Sequence, residues 1–239
     1  MKMPFEDIGN GKPVLLLHAF PLSGKMWKVQ AETLVQNGFR VILPDLPGFG
    51  ENSSPLYSTE ETAAQIFDLL KRLNIEKAVI GGLSMGGYVT FDLFRIAAEK
   101  FSGLVLCDTT FLADSDEKRK SRFDLISKIE KHGTEALIEN MLPNVISDYT
   151  KENNPSLKSR LEEIFSKVQP QSAINAMRAM AERKDSFEIV LKINLPTLLI
   201  FGESDKITNL DGAREMQTLI PGSELKIIEN AGHFSNLEQ

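Results

Sequence analysis

A single cysteine, Cys107, occurs among the 239 residues, so no disulfide can form within the chain, and a reducing compartment is the natural setting. No run approaches 18 apolar residues, and the opening MKMPFEDIGN has no apolar segment of the kind a signal peptide carries. Neither a membrane span nor a secretion signal is therefore expected, and the default location is the cytoplasm. Basic residues are outnumbered: Lys and Arg total 27 against 33 Asp and Glu, a net charge of −6. Such a balance leaves no general footprint for nucleic acid and no pull toward an anionic membrane. Only three histidines exist, His18, His132 and His233, and none stands at metal-ligand spacing with Cys107. Neither a metal nor an organic cofactor is expected. Nor does any Gly-Lys-Ser/Thr follow a glycine-rich turn, which excludes a P-loop, and Gly48-Phe49-Gly50 lacks the third glycine of a dinucleotide fingerprint because position 53 is Ser.

What is present is alternation. PVLLL (13–17), RVIL (40–43), KAVI (77–80), LVLC (104–107) and TLLIF (197–201) are short unbroken apolar runs, with LKII (225–228) a weaker sixth. Runs without a polar face suggest strands buried on both sides, as in a parallel sheet. Between them lie segments of helical spacing at 29–36, 59–73, 88–98 and 210–219; in the second, Ala63, Ile66, Leu69, Leu70 and Leu73 share one face. Strand and helix in turn imply an α/β protein with a doubly wound, mostly parallel sheet. From about Phe111 to Ile193 the strands stop, and amphipathic stretches at 120–132, 134–142, 155–167 and 170–183 are punctuated by Pro143, Pro155 and Pro170. The expected organisation is a core of residues 1–112 and 193–239 with a helical insertion, residues 113–192, between two sheet strands.

One stretch, GGLSMGG (81–87), carries chemistry. Gly82-Leu83-Ser84-Met85-Gly86 matches G-x-S-x-G, the strand-to-helix elbow in which a serine takes a strained backbone conformation and projects its hydroxyl above a sheet. The motif alone arises by chance in roughly one chain in twelve of this length. Its context is more telling, since a strand-like AVIGG precedes it and a helix-like YVTFDLFRIAA follows. The first amide of that helix, Met85 N–H, would face a developing oxyanion. A serine hydroxyl needs a base. His132 lies near an apparent helix end in charged surroundings and reads as a solvated residue, whereas His233 sits in a loop after the last strand, where a base at a sheet edge belongs. The base needs an orienting carboxylate. Asp205 and Asp108 each follow a strand and fall between Ser84 and His233 in the chain; Asp205 is preferred, and Asp108 is the competitor.

With these residues in view the chain resembles the α/β-hydrolase superfamily, in the branch of small carboxylesterases, 3-oxoadipate enol-lactonases and cofactor-free haloperoxidase-like hydrolases. The resemblance is carried by LHAFP (17–21), Trp27, DLPGFG (45–50), the elbow, GESD (202–205) and AGHF (231–234), which span nearly the whole chain in the family's order. It implies Ser84 as nucleophile, His233 as base, Asp205 as orienter, an oxyanion hole from the backbone N–H groups of Phe20 and Met85, and a helical cap where the insertion falls. Three departures stand out. Ala19 replaces the usual glycine after His18, the N-terminal hairpin looks short, and the sequence stops at NLEQ (236–239), where the resemblance leads one to expect a last helix.

The expected function is hydrolysis of a small or medium carboxylic ester or lactone through an acyl-serine intermediate, with a small-molecule substrate and neither nucleic acid nor membrane as a partner. The alternative is a ligand receptor or scaffold of the same fold with little turnover. Trp27, Phe111 and Met177 are the candidates for an apolar substrate pocket. Arg122 and Arg178 could meet a substrate carboxylate but read more simply as solvated helix charges, and Cys107 reads as a core strand residue.

Overall fold

The unbroken apolar runs become the middle of a sheet. The structure is a computed structural model that describes residues 3–239. The chain opens with β1 (Phe5–Ile8) and β2 (Lys12–Leu17), makes a 3-10 turn at Gly24–Trp27, and continues through α1 (Lys28–Gln36) and β3 (Phe39–Pro44). Helix α2 (Thr59–Arg72), β4 (Ala78–Leu83), α3 (Met85–Ala97) and β5 (Phe101–Cys107) follow. Six helices then come in succession: α4 (Asp116–His132), α5 (Glu135–Val145), α6 (Asp148–Asn153), α7 (Pro155–Ser166), α8 (Pro170–Glu182) and α9 (Phe187–Val190). The chain returns to the sheet with β6 (Thr197–Gly202), α10 (Leu210–Leu219) and β7 (Glu224–Ile228), then makes the single turn α11 (Ser235–Glu238).

The seven strands lie in the order β1-β3-β2-β4-β5-β6-β7. Every neighbouring pair is parallel except β1 with β3. The short N-terminal hairpin expected from sequence does not form, because β3 inserts between β1 and β2. Central strands are covered on both faces, as Val14, Leu15, Leu16 and Leu17 illustrate, all buried. β7 at the edge is mostly exposed, which is why its sequence signal was weaker.

Helix ends follow local chemistry. Ser58 caps α2 by accepting from the Glu61 amide, with Glu60 and Glu61 in the positive first turn and Lys71 and Arg72 in the last. Ser115 caps α4 in the same way through the Lys118 amide, so that helix begins four residues before the apolar spacing does. Pro143 does not end α5 but lies within its last turn, and the helix continues past it to Val145. No helix among the described residues is long and apolar enough to cross a membrane.

Register makes the site. Leu17 is opposite Gly82, Leu83 opposite Cys107, Cys107 opposite Ile200, and Gly202 opposite Ile228. The carboxyl ends of five parallel strands are therefore level, and the loops that leave them meet along one rim, the place where α/β sheets bind ligands.

Candidate active site

Ser84 occupies the turn between β4 and α3 with φ 53° and ψ −112°, a left-handed conformation that a side chain adopts only under constraint. The constraint is packing. A Cβ on Gly82 would lie 2.3 Å from the backbone of Gly86, and one on Gly86 would lie 2.3 Å from the Leu17 carbonyl oxygen. These two glycines thus let β4, the elbow and β2 approach backbone to backbone, which no other residue permits. The Ser84 amide donates to the Cys107 carbonyl at 3.0 Å and Thr109 Oγ1 donates to the Ser84 carbonyl at 2.9 Å, so the strained turn is tied to β5 on both sides.

His233 Nε2 lies 2.8 Å from Ser84 Oγ, and its Nδ1 lies 2.9 Å from Asp205 Oδ2. The residues are 149 and 28 positions apart in sequence, respectively. Asp205 also accepts from the Ile207 amide at 2.7 Å, the Thr208 amide at 3.1 Å and the Thr208 hydroxyl. Burial pushes the Asp205 carboxyl up, but the charge of His233 and the bonds from His233, Thr208 and Ile207 outweigh it, so the group stays below the ordinary carboxylate range.

The competitor is engaged elsewhere. Asp108 is fully buried, and its two oxygens accept from the Gly202 amide at 2.7 Å and from the Ser235 hydroxyl. Burial and the charge of Asp205 push its carboxyl well above the usual range, more than those two bonds lower it. Two carboxyls at one sheet edge are thereby set apart: an anion facing the imidazole and a group with a strong tendency to be neutral behind it. Burial also pushes up the Cys107 thiol, which leaves it a core residue without nucleophilic character. His132 is an exposed residue in the last turn of α4.

The segment after β2 is built from the other motifs. The His18 Nδ1–H donates to the Ala19 carbonyl at 3.0 Å while Nε2 accepts from the Leu46 amide at 2.8 Å. Asp45 accepts from the Gly24 amide at 2.9 Å and the Glu51 amide at 2.8 Å, and Phe20 meets Phe49 edge to face at 5.6 Å. DLPGFG (45–50) therefore holds the side chains of His18 and Phe20 and the Gly24 amide. Met85 supplies the first amide of α3, which has no acceptor inside its own helix.

His18 has a pH consequence. Burial drives its pKa from about 6.5 down to about 4, because charging it would leave an imidazolium without water, while Ala19 and Asp45 raise it only partly. The folded state thus disfavours the proton that the unfolded chain accepts. Stability is complete above about pH 6.5 and falls as pH drops toward 4, by roughly 3 kcal/mol in total. Urea unfolding at pH 7 and pH 4.5 measures this; His18→Asn is expected to be less stable at pH 7 yet to lose less between the two, and an equal loss in both proteins would refute the assignment.

The remaining sequence candidates are buried at different places. Trp27 closes the 3-10 turn at 3% exposure, its indole N–H without an acceptor among the described residues. Phe111 is 2% exposed against Phe187, and Met177 is 2% exposed on α8. Arg178 is exposed, as expected of a solvated helix charge. Arg122 is not: its side chain is only 13% exposed and its Nε bonds Asp114 Oδ2 at 2.5 Å. Asp114 also accepts from Arg183 Nη1 at 2.7 Å, and the Arg183 guanidinium sits 4.1 Å over the Tyr88 ring. Sequence reading missed Tyr88, Asp114 and Arg183; the one available signal was Tyr88, a single helical turn past Ser84. It also missed Glu238, whose carboxylate accepts from the amides of Gly232 and Ser147, both at 2.8 Å, and so ties the His233 loop to the start of α6.

A serine poised in a strained strand-to-helix turn on a mostly parallel sheet defines a class, and the chain belongs to the alpha/beta hydrolase fold family, which matches residues 12–128 and 139–239. Among its relatives is 3-oxoadipate enol-lactonase 1 of Acinetobacter baylyi, 26% identical over 96% of this chain and 85% of that protein. Non-heme chloroperoxidase CPO-A1 of Kitasatospora aureofaciens is 25% identical over 96% and 87%. Among solved structures, a thermophilic esterase from Thermogutta terrifontis with malate bound is 37% identical, covers 99% of this chain with 88% of its own, and superposes with a TM-score of 0.94.

Proposed function

We propose that the chain is a serine hydrolase of small or medium carboxylic esters or lactones. The observation that carries the reading is the double contact of His233, with Ser84 Oγ at 2.8 Å on one ring nitrogen and Asp205 Oδ2 at 2.9 Å on the other. Esterase and enol-lactonase relatives support the same class.

Ser84 Oγ attacks the ester carbonyl while His233 Nε2 takes its proton. Asp205 holds the imidazole with Nδ1–H turned toward itself and stabilises the imidazolium that forms. The backbone N–H groups of Phe20 and Met85 donate to the negatively charged tetrahedral oxygen, a contribution typically worth ~10²–10³ in rate per donor. His233 then returns its proton to the leaving alcohol, and the acyl group remains on Ser84. Water, deprotonated by His233, releases the acid by the same steps in reverse. The helices of residues 113–192 are read as a cap over this rim, with Met177 of α8 lining a cleft beside α4.

Mixing the protein with p-nitrophenyl acetate and quenching early is expected to give a burst of nitrophenolate and an acetyl group on the peptide containing Ser84. No burst, no adduct and no steady hydrolysis of acetate or butyrate esters would favour the receptor reading.

A further inference from the structure

The loop that carries His233 is held from two sides. On the sheet side the Ser204 amide donates to the Ala231 carbonyl at 2.8 Å, which joins this loop to the one carrying Asp205. On the other side stands the corner of the helical insertion between α5 and α6. The Phe234 amide donates to the Val145 carbonyl at 3.0 Å, and the Ser147 hydroxyl donates to the Asn230 carbonyl at 2.6 Å. Gly232 is pressed so closely on this corner that a Cβ there would lie 2.7 Å from the Ser147 nitrogen. Residues on both sides of His233 are thus fixed against residues 145–147.

Glu238 completes the contact. Its Oε1 accepts from the amide of Gly232, the residue before His233, and its Oε2 accepts from the Ser147 amide, both at 2.8 Å. The residue is 8% exposed, and no lysine or arginine pairs with it among the described residues. Nor does either amide have another acceptor among those residues. Two buried N–H groups facing one side chain call for two acceptor oxygens. A carboxylate supplies them, whereas an amide side chain supplies one and turns an N–H toward the other donor.

The contact matters because the base stands on a loop. Under the proposed mechanism the imidazole must reach Ser84 Oγ and Asp205 at once, and a displacement of about 1 Å in such a group costs roughly 10² in rate. Asn230, which opens the loop, has φ 60°, a conformation that neighbouring contacts must hold.

We propose that Glu238 is a positioning residue: it seats the His233 loop on the α5–α6 corner and so holds the imidazole between Ser84 and Asp205. The effect on rate rests on the hydrolase reading above, but the seating of the ring does not, and it is read without turnover. Glu238→Ala and Glu238→Gln are compared with Ile66→Ala, a fully buried site on α2, which carries no catalytic group, as a control for lost stability. Glu238→Ala is expected to lower kcat for p-nitrophenyl butyrate roughly 10²-fold with KM changed by less than about 3-fold, the split that misplacing a reacting group produces. Glu238→Gln, which keeps one of the two acceptors, is expected to fall between Glu238→Ala and the wild type. Histidine ring NMR reads position directly, since the chain has only three histidines and the His233 C–H signals are followed beside those of His18 and His132. The His233 signals are expected to shift or broaden in both Glu238 variants while the other two hold still. Ile66→Ala is expected to lower the melting temperature and to leave both kcat and the His233 signals in place.

A Glu238 that merely supported α6 would lower the melting temperature without changing kcat in the folded protein and without singling out His233. Unchanged kcat or unmoved His233 signals in folded Glu238→Ala, or the same changes in Ile66→Ala, overturns the proposal; should Glu238→Ala fail to fold, Glu238→Gln decides by the same two readings. A wild-type protein that hydrolyses no ester rejects the hydrolase reading, and the ring signals alone then judge the seating of His233.

Discussion

Ser84→Ala and His233→Ala are each expected to lower kcat for p-nitrophenyl butyrate on the order of 10⁴-fold or more, and the double variant by about as much as either alone. The reason is the geometry. Ser84 Oγ is bonded to His233 Nε2 at 2.8 Å, and under the proposed mechanism the hydroxyl becomes a competent nucleophile only as the imidazole takes its proton. Removing either partner removes the same event, which is why the two losses do not add. The substitutions differ in their structural cost. Ser84 already pays for a left-handed backbone, and alanine there keeps the strain while deleting one hydroxyl. His233 is 3% exposed, so its replacement leaves a cavity, and thermal unfolding should accompany the kinetics. Near-normal hydrolysis by either well-folded variant would reject the proposed mechanism.

The second large effect separates two aspartates that the sequence presents alike. Asp205→Asn is expected to cost roughly 10³–10⁴ in kcat, because an amide facing Nδ1 no longer fixes the imidazole tautomer or stabilises its cation. Asp108→Asn should cost far less, since Asp108 spends its oxygens on the Gly202 amide and the Ser235 hydroxyl. A strong tendency to stay neutral makes an amide an acceptable substitute there. Its expected signature is altered stability, through the hold on Ser235 two residues beyond His233, rather than a collapse in rate. Steady-state kinetics on both variants decides the matter, and the reverse order would exchange their roles.

Much of this molecule is legible in its residues because local rules write it. Unbroken apolar runs specify strands buried on both faces, and helical spacing specifies the layers that cover them. The elbow is equally local: Gly82 and Gly86 are needed by close approaches within one strand-turn-helix unit, and a loop histidine after the last strand is visible by position. Elements that depend on distant partners were not legible. β1 pairs with β3 rather than β2, α6 is a short helix whose cap, Ser147, is held by Glu238 from the chain's last turn, and Pro143 sits inside α5. The first two were decided by contacts between residues far apart in sequence, which no window of ten residues contains.

The amino-acid order alone determined the class of fold, the position of the strained serine, and the short set of histidines and aspartates that could serve it. Tertiary structure decided which aspartate faces the imidazole, and that Arg122, read as a solvated charge, is instead pressed against Asp114 and two methionine sulfurs. The physical reason is the same in both cases. A side chain's type is a property of the sequence, but its charge state and partners are set by burial and by the neighbours that the sheet register brings within about 3 Å.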